Sequence, residues 1–153
     1  MKAKSPEEEL DGFIARYSPE IGALARAALA KMRARLPGAI ELVYDNYNAL
    51  AVGFSPTERA SDTIFSIALW PRWVSLFFLQ GARLPDPNRL LKGSGKIARH
   101  IVLEDAGSLD KPAVQDLIAR ALQCTRTPLD GTGPGRMVIK SVSARQRPRR
   151  PAK

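Results

Sequence analysis

Apolar residues recur at helical spacing in the first quarter of the chain. Leu10, Phe13, Ile14 and Tyr17 form one series, and Ile21, Leu24, Ala28, Met32 and Leu36 form a second. Each series follows a helix-start signal. In Ser5-Pro6-Glu7-Glu8 the serine can cap, the proline suits the first turn, and Glu8 stands three residues after the cap as a capping-box partner. Ser18-Pro19-Glu20 repeats the signal. The spacing predicts two helices. The second has Arg26 and Arg33 on the face opposite its apolar stripe, and Pro37-Gly38 ends it.

The period then changes from helical to alternating. In residues 39–45 (AIELVYD), Ile40, Leu42 and Tyr44 point to one side and Glu41, Val43 and Asp45 to the other, as in a half-buried strand. Asn46-Tyr47-Asn48 suits a turn, and residues 49–54 (ALAVGF) give a second strand. After a polar loop over 55–62 come TIFSIALW (63–70) and WVSLFFL (73–79). Pro71-Arg72 joins them as a tight turn between antiparallel neighbours. The 73–79 segment is apolar on both faces, which predicts a central strand covered on both sides or an oligomer contact. Residues 80–96 read as loop with one helical turn at 87–91, and IARHIVL (97–103) as a strand. Asp110 is placed as the cap of a helix over 111–123. Val114, Leu117, Ile118, Ala121 and Leu122 form its buried stripe, and Asp116 and Arg120 pair on its outer face.

Runs of helix, then strand, then helix predict an α+β fold. The expectation is an antiparallel sheet of about five strands with two N-terminal helices and one C-terminal helix packed on it. The domain spans 1–124. Residues 125–142 form a linker without packing capacity and an added edge strand at 136–142, and 143–153 form a disordered basic tail.

Composition narrows the function classes. The 153 residues are 44% hydrophobic and 25% charged, ordinary for a globular chain and far from a disordered or collagen-like one. One cysteine, Cys124, allows no internal disulfide, and one histidine, His100, cannot complete a Cys₂His₂ zinc site with it. The net charge is +9. Five basic residues and no acid lie in 143–153, leaving 19 basic and 15 acidic residues and a charge of +4 in the body. No stretch approaches the roughly 18 apolar residues of a membrane span, and the N-terminus lacks the apolar region of a signal peptide. The chain is therefore expected to be cytoplasmic, with no membrane partner and no cofactor.

Several segments in this order resemble a known family: LPGAIELVYDNYNALAVGF, TIFSIALWPRWVSLFFLQG, LPDPNRLLKGSGKIARHIVL and the closing helix. Together they look like the YdhG-like domain, a bacterial family of largely unknown function, and the resemblance covers roughly residues 5–123. It implies helices on an antiparallel sheet and a non-enzymatic binding or accessory role toward an unknown small molecule or protein. One branch is described as frataxin-like iron chaperones serving iron–sulfur cluster or haem synthesis. That role needs exposed carboxylates. The best cluster here is Glu7, Glu8, Glu9 and Asp11, with Glu7, Glu8 and Asp11 as the candidate ligands; the same acids also complement the dipole of a helix start. A net basic body is unfavourable for holding cations.

Four other groups carry candidate chemistry. Glu41, Tyr44, Asp45, Tyr47 and Asn48 could line a small-ligand pocket at a strand end, flanked by the 92–96 loop, or they could simply build a turn. Glu41 and Asp45 share a strand face at about 13–14 Å, too far for a close catalytic carboxylate pair. Lys92, Gly93, Ser94, Gly95 and Lys96 form a cationic, glycine-rich loop that suits an anion. It is not a nucleotide-binding P-loop, because Leu90 and Ile97 stand where that motif needs glycine and serine or threonine. Trp70 and Trp73, with Arg72 between them, could stack on a base or sugar or pack the hairpin end; His100 beside Arg99 and Cys124 near Arg126 read as packed or inert side chains. Arg145, Arg147, Arg149, Arg150 and Lys153 give the tail weak polyanion affinity, and a nucleic-acid-associated protein is the alternative reading.

Overall fold

Both serine caps form as expected. In the computed structural model, which describes residues 3–151, Ser5 and Glu8 close a reciprocal capping box at the start of α1 (Pro6–Ala15). The Ser18 side chain accepts from the Ile21 N–H at the start of α2 (Pro19–Arg35). Strands β1 (Ile40–Asp45), β2 (Leu50–Ser55), β3 (Phe65–Leu69), β4 (Val74–Phe78) and β5 (Arg99–Leu103) pair antiparallel with their sequence neighbours. Helix α3 (Pro112–Gln123) follows, and β6 (Arg136–Val142) returns to the sheet.

The α+β class holds, with three α-helices and six strands among the described residues, the strands in the order β5-β4-β3-β2-β1-β6. The sheet is mixed rather than wholly antiparallel, because β6 runs parallel to β1. The long return from α3 brings the chain back alongside β1 in the same direction, which a hairpin cannot do. The register of this pair slips between Val43 and Tyr44.

Other details depart from expectation. Asp110 does not cap α3; its carboxylate accepts from Lys31 at 2.6 Å, Lys111 takes the cap position, and Pro112 opens the helix. A short 3-10 turn forms at Gly81–Arg83, and residues 87–88 make only a turn. The linker packs after all. Leu129 lies against the core, and the Asp130 carbonyl would stand 2.1 Å from a Cβ on Gly38. Gly38 also has φ +80°, so this helix-ending glycine is required twice over. Residues 143–151 are not a detached tail: they turn back onto the end of β1 and α1, and Arg149 is buried.

One core fills the space between the sheet and the three helices. Leu50, Val52 and Phe54, then Phe65, Ile67 and Leu69, then Val74, Leu76 and Phe78 supply its sheet side, each triplet at every second residue. Helix residues Leu10, Ile14, Leu29, Met32, Leu117 and Ile118 supply the other side. Strand β4 buries Val74, Leu76 and Phe78 toward the helices and Ser75 on the opposite face, where Phe77 stays half-buried. On the face away from the helices, Trp70 stacks on Trp73 (5.4 Å, 21°) and approaches Phe77 (5.8 Å), which stacks on His100 (5.0 Å). In the register, Ala68 opposite Ser75 lies between the Trp70–Trp73 row and the Ser66–Phe77 row. Both are small and buried, which lets the rings close above them.

Candidate functional site

Strand β1 turns two carboxylates, Glu41 and Asp45, toward the helix layer with buried Val43 between them. Each meets arginine, and two different structures result.

At the Glu41 end the surface opens into a cleft of about 670 Å³ between α1, α2, the start of β1 and the start of β6. Its apolar lining includes Leu10, Ile14, Leu29, Phe54 and Met137. Its charged lining includes Arg26, Arg33, Arg136, Glu7, Asp11 and Glu41. Arg33 grips Glu41 in a fork, with Nε 2.9 Å from Oε2 and Nη2 2.9 Å from Oε1. Arg26 pairs with Asp11, and Arg136 donates to Glu58 at 2.5 Å. The three guanidinium groups are held at the rim before any ligand arrives, in the planar geometry that suits a carboxylate or phosphate. Among the described residues, no histidine, cysteine or serine lines the cleft.

At the Asp45 end the chain closes over itself. Arg149 Nη2 donates to Asp45 Oδ1 (2.9 Å) and to the Asn46 carbonyl (2.5 Å), and Nη1 reaches the Tyr47 carbonyl at 3.4 Å. Its guanidinium carbon lies 5.7 Å from the centroid of the Tyr17 ring. Gln146 Nε2 donates to Asp45 Oδ2 (2.8 Å), and Arg16 stands 3.6 Å from the same oxygen. Tyr17 completes the floor: its hydroxyl donates to the Leu69 carbonyl and accepts from the Leu50 N–H. Burial raises the Tyr17 pKa above its ordinary 10.0, against the opposing pull of Arg149 and the Leu50 N–H.

The remaining candidates fall elsewhere. Tyr44 faces the other side of the sheet, where its hydroxyl is buried without a partner and burial raises its pKa. Tyr47 and Asn48 are exposed in the turn. The loop from Lys92 to Lys96 lies along β5, four strands away from β1, so no pocket joins the two. Its residues are exposed, Lys92 bridges to His100, and Arg99 donates to the carbonyls of Gly95 (2.5 Å) and Ala98 (2.8 Å). Burial, then the Lys92 charge, lowers the His100 pKa. Cys124 is exposed at the end of α3.

Glu7 and Asp11 reach the cleft, whereas Glu8 serves the capping box and Asp11 is engaged by Arg26. Among the described residues, no three His, Cys, Asp or Glu side chains are grouped to hold a metal ion. Of the basic tail, Arg145, Arg147 and Arg150 are exposed, Arg149 is consumed by Asp45, and Lys153 lies outside the described residues. The sequence reading set Arg26 and Arg33 on an outward face and gave Arg136 no role. Their seven-residue spacing puts Arg26 and Arg33 on one side of α2, two turns apart, and what that spacing does not carry is that Asp11 of α1 and Glu41 of β1 stand beside that side. Compared with protein-family models, with curated proteins and with solved structures, the chain matches none of them.

Proposed function

We propose that this chain is a non-enzymatic binding domain of YdhG-like type, and that its ligand site is the cleft between α1, α2, β1 and β6. One observation carries the reading: three arginine forks stand over an apolar floor in a cavity large enough for a small organic molecule. The ligand class that fits has an apolar body, which displaces water from Leu10, Leu29 and Phe54, and an anionic group, which competes with Glu41 or Asp11 for a guanidinium. The binding role is favoured over catalysis because Glu41 and Asp11 are already engaged by arginine and, among the described residues, no nucleophile or imidazole lines the cleft beside them.

Ligand-observed NMR with a library of small aromatic and aliphatic carboxylates and phosphates tests the assignment. Binders should lose at least tenfold in affinity in Arg33→Ala and be unaffected by Lys96→Ala at the far edge. A library with no binder, or binders indifferent to Arg33→Ala, would retire the cleft as the site. The iron-chaperone alternative has its own check, calorimetric titration with ferrous iron against the Glu7→Ala/Asp11→Ala double variant.

A further inference from the structure

Residues 143–153 contain no aromatic side chain, and the fold sets one beside them. The Ser143 N–H donates to the Asp45 carbonyl (2.8 Å) and the Arg147 N–H to the Tyr47 carbonyl (2.9 Å). Gln146 and Arg149 hold the Asp45 carboxylate, and Arg150 Nε donates to the Arg16 carbonyl (3.2 Å). The segment is thereby pinned along the β1–β2 turn, where Tyr47 keeps 51% of its exposure. Arg145, Arg147 and Arg150 are exposed and, among the described residues, form no ion pair. The carboxylate beside them, Asp45, is buried and already answered by Arg149. We infer that this end of the sheet is a binding surface for single-stranded nucleic acid. Phosphates lie on Arg145, Arg147 and Arg150, and an unpaired base stacks on Tyr47.

Charge and ring together select this occupant. Guanidinium groups match phosphate oxygens in a planar fork, and the three here have no carboxylate to give up first. Their backbone is fixed when the domain folds, so less ordering remains to be done on binding. An exposed tyrosine among cations offers a face on which any base stacks. A duplex keeps its bases stacked inside, and an anionic bilayer has none to offer. The other exposed ring at this end of the sheet has a different setting. The register places Asp45, Leu50, Leu69 and Val74 in one row, so the turn carrying Trp73 lies at the same end as Tyr47. There, however, Glu20, Glu104 and Asp105 line the surface beside Trp73 and repel phosphate. The binding surface is therefore confined to the β1–β6 side. It lies at the opposite end of β1 from the ligand cleft and does not rest on that assignment.

The test is fluorescence anisotropy of labelled oligothymidylate and oligouridylate of about 15 nucleotides, titrated with the full-length chain over a series of salt concentrations. Wild type should bind with a log–log salt slope of about −2, as three phosphate contacts on a single strand require. The Arg145→Ala/Arg147→Ala/Arg150→Ala variant should lose at least about tenfold in affinity and most of that slope. Tyr47→Leu should lose at least about fivefold with the slope unchanged, and Tyr47→Phe, which keeps the ring, should bind as wild type does. Lys96→Ala removes one charge at the far edge of the sheet and should also bind as wild type does. No binding by wild type, or Tyr47→Leu binding like wild type, overturns the inference. So does displacement of the oligonucleotide by an equal phosphate concentration of duplex or of phosphatidylglycerol vesicles. Circular dichroism verifies the fold of each variant. If the triple variant does not fold, Arg145→Ala takes its place. The slope should then shrink by about 0.7, and an unchanged slope overturns the inference.

Discussion

Glu41 and Asp45 stand on the same face of the same strand, and each is held by an arginine from elsewhere in the chain. They differ in burial. The Glu41 and Arg33 side chains keep 14% and 42% of their exposure, whereas Asp45 and Arg149 keep 2% each. In the first pair water screens the charges, so the pair contributes about 1 kcal/mol or less and is free to trade partners. In the second pair both ions have left water, and removing either one strands the other. One strand thus presents the same chemistry in two states: an open end suited to a ligand and a sealed end that holds the chain together.

The largest effect belongs to the sealed end. Arg149→Ala should destabilise the protein by about 3 kcal/mol, near the lower bound for breaking a buried pair because Arg16 remains 3.6 Å from Asp45. For a domain of this size that lowers Tm by roughly 6–12 °C, readable by calorimetry. A loss under about 1 kcal/mol would show that the Asp45 end is no more sealed than the Glu41 end. Tyr17→Phe comes next. It leaves the Leu50 N–H and the Leu69 carbonyl without their buried partner and should cost about 1–3 kcal/mol by urea unfolding. The same tyrosine sets an alkaline limit. Its pKa is raised in the fold, so its stabilising contribution is complete below pH 10 and is lost as pH rises through the raised value. Wild-type stability should fall faster than that of Tyr17→Phe on that limb.

At the open end Glu41→Gln should cost about 1 kcal/mol or less, with the loss shrinking in high salt. An effect as large as that of Arg149→Ala would erase the contrast between the two ends. The smallest effect lies at the far edge of the sheet, remote from both. His100 has a lowered pKa, so the fold disfavours its protonation and stability is lost as pH falls from 6.5 through the lowered value. Lys92→Ala should move the His100 titration upward in NMR and soften that acid limb, leaving the thermal response of the Asp45 end unchanged.

Local features were legible in the sequence because they are written in adjacent residues. The serine caps, the alternation of β1, the Pro71-Arg72 hairpin and the stripe of α3 each occupy a few positions and need no distant partner. The features that escaped the sequence are long-range. Nothing in Arg136–Val142 says that its neighbour is β1 or that the pair is parallel. The basic run 143–153 has the composition of a solvated tail, and the partners that draw Arg149 out of water, Asp45 with the Asn46 and Tyr47 carbonyls, lie about a hundred residues away. The alternation in β1 separates its two faces without saying which one meets the helices: Glu41, Val43 and Asp45 face them, while Leu42 is buried on the opposite face. The same distance hid half of the cleft. Glu41 was a visible candidate, but Arg26 and Arg33 look like ordinary solvated charges until α1 and β1 are set beside them.

The parallel strand and the arginine that follows it impose an order on synthesis. Asp45 leaves the ribosome 104 residues ahead of Arg149. At about 5–20 residues per second, on the order of 5–20 s pass in which the nascent sheet carries that acid without its counter-ion. Over that interval the tip of β1 stays hydrated and the strand's outer edge unpaired, and β6 with Arg149 acts as a seal fitted only after the strands and helices before it have been translated.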